Sequence, residues 1–177
     1  MSNLTINKVG GFSSFGSKVL RYFKRMNLGV DREFDGRYLL AEAQVTSSLP
    51  LGAHLVSPRR FYLHHGIHLG GGEVAHYSGF SASLKAGPIE VTDLEGFANG
   101  NPVWVLQEQY VYPSDEIARR ARTRVGENHY KVLTNNCEHF CSWCVSGKSY
   151  SAQVDAFLRC PRYLFSLVSA LQPCFIA

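Results

Sequence analysis

From residue 50 onward the apolar and polar positions fall into short β-like runs separated by turn residues; beyond residue 113 they take up the period of helices. Strands are predicted over residues 53–57, 61–69, 73–77, 89–92 and 103–107. Gly70-Gly71-Gly72 marks a hairpin turn, and Asp93 is placed to cap a short helical turn reaching Phe97. Ser114 is read as the cap of the next helix, with Asp115 and Glu116 in its first turn. Ile117, Ala121 and Val125 recur every fourth residue along it, and Gly126 ends it. A second helix is expected to start near Cys137 and stop at Gly147. Ser151 should cap a third, with Val154, Phe157 and Leu158 facing inward. Strands first and helices afterwards read as an α+β fold, and no internal repeat interrupts that order.

Composition changes this picture only at the ends. Hydrophobic residues make up 45% of the 177 residues and charged residues 18%, which suits a packed core and not a disordered chain. The formal charge of +4 comes without a run of five like charges, so nucleic acid is not an expected partner. Attraction to an anionic lipid surface fits this mild charge better. Residues 1–49 are read as an N-terminal extension. Within it Ser17 could cap a helix with Val19, Leu20, Phe23 and Met26 on one face and Lys18, Arg21, Lys24 and Arg25 around the rest. Two readings stand for it: a helix packed on the domain, or a basic amphipathic membrane contact. The tail, residues 156–177, is apolar and carries no charge after Arg162. It is shorter than the roughly 20 residues of a spanning helix, which leaves a core helix or an interfacial anchor. Its last residues, Cys174-Phe175-Ile176-Ala177, formally fit a prenylation box. The five cysteines are odd in number and confined to the last third, and the N-terminus lacks the apolar stretch of a secretory signal. Reduced thiols and an intracellular location are therefore expected, cytoplasmic or peripheral to a membrane.

The chemistry concentrates in one cysteine and two histidines. Asn135 or Asn136 can cap the helix that begins near Cys137, which puts that thiol in the first turn. Unpaired amides and the positive dipole end favour a thiolate there and could donate to an oxyanion. Cys137, Phe140, Cys141, Cys144 and Val145 share a helical face, and Cys141 and Cys144 are read as core. A second cysteine pair at finger-like spacing is missing, so no metal is expected, and no cofactor motif is read.

Four of the seven histidines lie at positions 64, 65, 68 and 76. His64 and His68 share a strand face but sit roughly 13 Å apart, too far to chelate one ion together. A three-residue glycine loop would pair Leu69 with Glu73 and set Gly66 opposite His76. His64 and His76 then become diagonal neighbours over a position without a side chain, a base and its orienting partner. A one-residue slip would part them. His65 and His68 are expected to be structural or surface residues, and His54, His129 and His139 structural.

Leu63-His64-His65-Gly66-Ile67-His68-Leu69-Gly70 resembles the first motif of the lecithin retinol acyltransferase family. Glu73-Val74-Ala75-His76 resembles its second-histidine strand, and Asn136-Cys137-Glu138-His139-Phe140 its nucleophile motif. Pro50-Leu51-Gly52-Ala53-His54-Leu55 and Ser151-Ala152-Gln153-Val154 extend the likeness to about residues 50–155. The resemblance implies a circularly permuted papain-like (NlpC-related) fold in which the histidines precede the cysteine. It also implies Cys137 as nucleophile, His64 as general base and His76 as the orienting third member. The implied activity takes an acyl group from a phospholipid as a thioester and passes it to water, an amine or an alcohol. Two departures stand out: His65 replaces a usual aromatic residue and His68 a usual tyrosine. A thiol hydrolase of peptide, isopeptide or amide bonds would use the same residues, and a non-catalytic binding module could share the scaffold.

Overall fold

The computed structural model describes residues 39–42, 49–59, 62–78 and 87–159. The expected N-terminal helix around Ser17, the apolar stretch after Arg162 and Cys174 lie outside them, as does Phe61. The strands in chain order are β1 (Leu39–Glu42), β2 (His54–Pro58), β3 (Leu63–Gly70), β4 (Glu73–Tyr77), β5 (Ile89–Asp93) and β6 (Trp104–Gln107). The helices are α1 (Leu94–Ala98), α2 (Ser114–Thr123), α3 (Cys137–Ser146) and α4 (Ala152–Arg159). The six strands form one antiparallel sheet in the order β1-β6-β2-β3-β4-β5. This is the expected α+β architecture, a histidine-bearing antiparallel sheet packed against the helix that starts at Cys137. The sheet also takes in Leu39–Glu42, from the segment read as an extension, as the partner of β6.

Burial follows the period of two. Ile67, Leu69, Ala75, Tyr77 and Ile89 meet Ile117, Ala118 and Ala121 of α2 and Phe140, Cys141, Cys144 and Val145 of α3. The opposite face is covered by the short helix α1, whose Phe97 packs with Ala53, Leu55, Val74 and Val103. With both faces covered, β3 is buried along nearly its whole length, histidines included. Burying Phe97 stabilises this second layer by roughly 1.5–3 kcal/mol.

The first hairpin differs in detail from expectation. Gly70, not Leu69, pairs with Glu73, so the turn is the two-residue Gly71-Gly72. Both have positive φ (61° and 82°), as the turn that matches the twist of paired strands requires. A bulge between His68 and Gly70 then restores the expected register at His68↔Val74 and Ile67↔Ala75. The extra residue in the strand cancels the missing residue in the loop.

Three helical details also depart. The cap of α2 is Pro113, not Ser114; its carbonyl takes the first helical bond from the Ile117 amide at 3.0 Å. Val125 does not extend the α2 stripe. The chain leaves the helix after Thr123, because the Gly126 amide bonds the Ile89 carbonyl (2.7 Å) at the edge of the sheet. In α4, Val154 is buried as expected but Leu158 faces solvent.

Candidate active site

Asn136 is the cap of α3: its side chain accepts from the Glu138 and His139 amides at 2.9 and 3.1 Å. His139 closes the capping box by accepting from the Asn136 amide at 3.4 Å. Cys137 therefore opens the helix, as expected, and is only 3% exposed. Asn135 serves elsewhere. Its amide donates to Tyr77 Oη (2.9 Å) and Glu127 (3.1 Å), while Arg124 clasps Glu127 through two nitrogens. That pairing holds Glu127 down at about 2 and ties the approach to α3 onto the sheet.

The β3–β4 ladder runs from Gly70↔Glu73 only as far as Ile67↔Ala75. The β2–β3 ladder continues to Pro58↔Leu63, and the β4–β5 ladder to Tyr77↔Ile89. The two middle strands thus part beyond Ile67, leaving β3 backbone groups without a β4 partner. Cys137 uses that opening. Its Sγ lies 4.0 Å from the Leu63 carbonyl, and the His65 amide donates toward it. The thiol thus rests against the backbone on both sides of His64.

His64 and His76 meet on the opposite face of the sheet, with His64 Nε2 2.9 Å from His76 Nδ1. The ladder stops at Ile67↔Ala75, one step short of the expected Gly66–His76 pair, and the two rings meet just beyond its end. The space over Gly66 is not empty, however. A Cβ there would come within 2.6 Å of Val74 and 2.7 Å of the Phe97 ring. Phe97 stacks on His64 (centroids 5.3 Å apart) and meets His76 edge-on (5.5 Å). Arg59 binds the carbonyls that end α1, at 2.5 Å from Phe97 and 3.2 Å from Ala98.

Protonation is set by burial. The His64 ring is held well below the usual imidazole range by desolvation first, then by His76 and Arg59. His76 is pushed down to about 4, mainly by burial, against the opposing hydrogen bond to the Tyr77 carbonyl. Cys137 departs from the expected lowered thiol. Burial pushes it up to about 12, outweighing the His65, Glu138 and Cys137 amides that favour the thiolate. Both imidazoles and the thiol are thus neutral at rest, and no hydrogen bond joins Cys137 to His64. His64 Nδ1 and His76 Nε2 are buried without a hydrogen-bond partner.

The other histidines separate by face. His65, fully buried on the helix side, bonds His54 and Gln153. His68 Nδ1 donates to the Pro50 carbonyl at 2.9 Å; it too is buried, which excludes the surface option. Sequence reasoning gave no role to Phe97, Tyr62 or Glu138. The signal for Phe97 was Gly66 itself, since a glycine within a strand marks a close approach by another group. Tyr62 meets His64 edge-on at 6.1 Å, and the nearby Cys137 helps burial raise its phenol to about 12. Buried Glu138 accepts from the Ser151 hydroxyl and from the Ala152 and Gln153 amides, joining α3 to the start of α4.

A family model described as lecithin retinol acyltransferase matches residues 47–150. The lecithin retinol acyltransferase of Homo sapiens is 31% identical over 164 residues, covering 76% of this chain and 70% of that protein. The Bos taurus protein of the same name is 28% identical over 166 residues, covering 78% and 71% respectively. The Mus musculus protein is 29% identical over 140 residues, covering 63% and 60%. The chain belongs to the lecithin retinol acyltransferase family.

Proposed function

We propose that this protein is a cysteine-dependent acyltransferase or acyl hydrolase that takes acyl chains from phospholipid esters through a thioester on Cys137. The observation that carries this reading is the buried His64 ring, bonded through Nε2 to His76 and unpartnered at Nδ1. A buried imidazole nitrogen without a partner loses hydrogen-bond energy, and acceptance of the Cys137 proton accounts for that cost. Because thiol and imidazole are both neutral at rest, the proton moves as the bond forms. His64 Nδ1 takes the Cys137 proton while sulfur attacks the ester carbonyl, and His64 returns that proton to the departing lysophospholipid oxygen. Water, an amine or an alcohol then attacks the thioester, with His64 again the base.

Two proton arrangements compete at His76 Nδ1, which lies 2.9 Å from His64 Nε2 and 2.8 Å from the Tyr77 carbonyl. The carbonyl only accepts, so it favours a hydrogen on His76 Nδ1. A bare His64 Nδ1 needs the hydrogen on Nε2, donated to His76. The second arrangement is the productive one, and protonation of His64 enforces it by making both its nitrogens donors. The first residues of α3 supply amides near the sulfur for the developing oxyanion. In support of a lipid donor stand the family and the relatives' name, lecithin retinol acyltransferase. Among the described residues no helix is long and apolar enough to cross a membrane.

Intact-mass spectrometry after incubation with a defined phosphatidylcholine tests the reading. One acyl chain should add to the wild-type protein and none to Cys137→Ala. An adduct that survives the substitution, or full turnover by the variant, rules the mechanism out.

A further inference from the structure

The helix face of β3 carries a second pair of histidines that the proposed mechanism does not use. His54 Nδ1 lies 2.5 Å from Glu108 Oε1, His54 Nε2 2.8 Å from His65 Nδ1, and His65 Nε2 3.0 Å from Gln153 Nε2. One direction of donation runs along the whole chain. Gln153 Oε1 accepts from the Leu63 amide at 2.7 Å, which fixes its other end as the donor. His65 Nε2 must then accept, so a neutral His65 carries its hydrogen on Nδ1 and donates to His54 Nε2. His54 in turn carries its hydrogen on Nδ1 and donates to Glu108. The direction of every bond follows from a carboxylate at one end and an amide group at the other.

The amide end sits at the nucleophile. Gln153 holds the Leu63 backbone on both sides, accepting from its amide and donating to its carbonyl at 3.2 Å. The same carbonyl faces Cys137 Sγ, and Leu63 immediately precedes His64. The same NH2 group faces a third acceptor, Glu138 Oε2 at 3.1 Å on the first turn of α3, so its two hydrogens are shared among Leu63, His65 and Glu138.

We propose that His65, oriented by His54 and Glu108, is a positioning residue: by fixing Gln153 against Leu63 it sets the approach of Cys137 to His64. The catalytic meaning rests on the function proposed above; the hydrogen placement does not. With the opposite tautomer, His65 Nε2–H would meet the Gln153 NH2 donor to donor, and the clamp on Leu63 would loosen.

Glu108 is the place to test it, because it stands at the partly exposed end of the chain, with 28% of its side chain accessible. In long-range 1H–15N spectra of the full chain, His54 and His65 should both appear as Nδ1–H tautomers. An Nε2–H tautomer at His65 in the wild type overturns the proposal. Glu108→Ala should release the order and lower kcat about tenfold, a loss of ~1.4 kcal/mol in transition-state stabilisation, with KM unchanged. Glu108→Gln, which can still accept at that position, should recover most of the loss. If Glu108→Ala keeps the wild-type kcat at unchanged melting temperature, the positioning role is wrong. If the wild type forms no acyl adduct, the function is wrong while the spectra still decide the tautomers.

Discussion

Two adjacent residues of one strand, His64 and His65, each sit buried in a histidine pair, on opposite faces of the sheet. In the His54–His65 pair all four ring nitrogens have partners, from Glu108 at one end to Gln153 at the other. In the His64–His76 pair, His64 Nδ1 and His76 Nε2 are buried without a hydrogen bond, and the Glu90 carboxylate stands 3.7 Å from the latter. The pairs have the same side chains and similar centroid separations, 5.0 Å in each. They differ in surroundings: Glu108 and the Gln153 amide bond the first pair, whereas the Phe97 ring packs on the second and the Glu90 carboxylate stays 3.7 Å from it. A buried imidazole pair supplied with partners has every nitrogen committed, whereas the pair packed on an aromatic wall leaves His64 Nδ1 without one, the nitrogen to which the proposed mechanism gives the Cys137 proton. Residue type alone carries no such distinction.

The sharpest break of the comparison is the exchange of roles. His64→Gln, which keeps most of the buried volume, should reduce turnover by about 10²–10⁴-fold, up to ~5 kcal/mol in the barrier, with a smaller loss of thermal stability. His65→Ala should do the reverse, costing mainly stability by orphaning Gln153 and His54, with a smaller loss of turnover. Matched kinetics and melting curves would decide it, and equal kinetic losses would erase the distinction. Removing the wall is next in size. Phe97→Ala should destabilise by about 3–5 kcal/mol through the cavity it leaves. It should also let water reach both rings and raise the depressed pKa of His76 in an NMR titration.

Acid should act chiefly through the imidazoles that burial disfavours. Folding makes His76 a weaker base, so as pH falls the unfolded chain binds protons first. Its share of stability is complete above the ordinary value of 6.5 and is lost as pH falls from there to about 4. That share is on the order of 3 kcal/mol, and His64 and His65 act in the same direction. Melting temperatures between pH 7.5 and 4.5 should fall in wild type and fall less in His76→Gln. A pH-independent melting temperature would contradict the burial. The smallest change is Gly66→Ala, whose methyl would press on Val74 and Phe97. Overpacking of this kind costs about 1–3 kcal/mol, and a displaced Phe97 should show as reduced kcat before the fold fails.

Much of the site was legible because its signals are local. Asn136 and Cys137 announce a helix start through capping chemistry, and Gly71-Gly72 announces a turn that brings His76 back beside His64. The hairpin also shows the limit of such reading. The loop was one residue shorter than expected and a bulge took up the difference, so the pairing at His68↔Val74 held. Strand alternation placed His64 and His76 on one face. Alternation could not say what lies over them, because Phe97 comes from a helix more than 20 residues downstream.

Residue order, spacing and type by themselves determined the strand-then-helix plan, the membership of the histidine pair and the position of Cys137 in the first turn of α3. These depend on backbone geometry within a few residues. Tertiary structure decided the protonation of the site. Capping logic points to a lowered thiol pKa at a helix start, yet Cys137 is buried against β3 and pushed up to about 12. Desolvation depends on every layer packed around a group, whereas a helix end acts only over its first turn. The same reason separates His64 from His65: one residue along the chain, but a different environment assembled from α1, α4, β2 and β4.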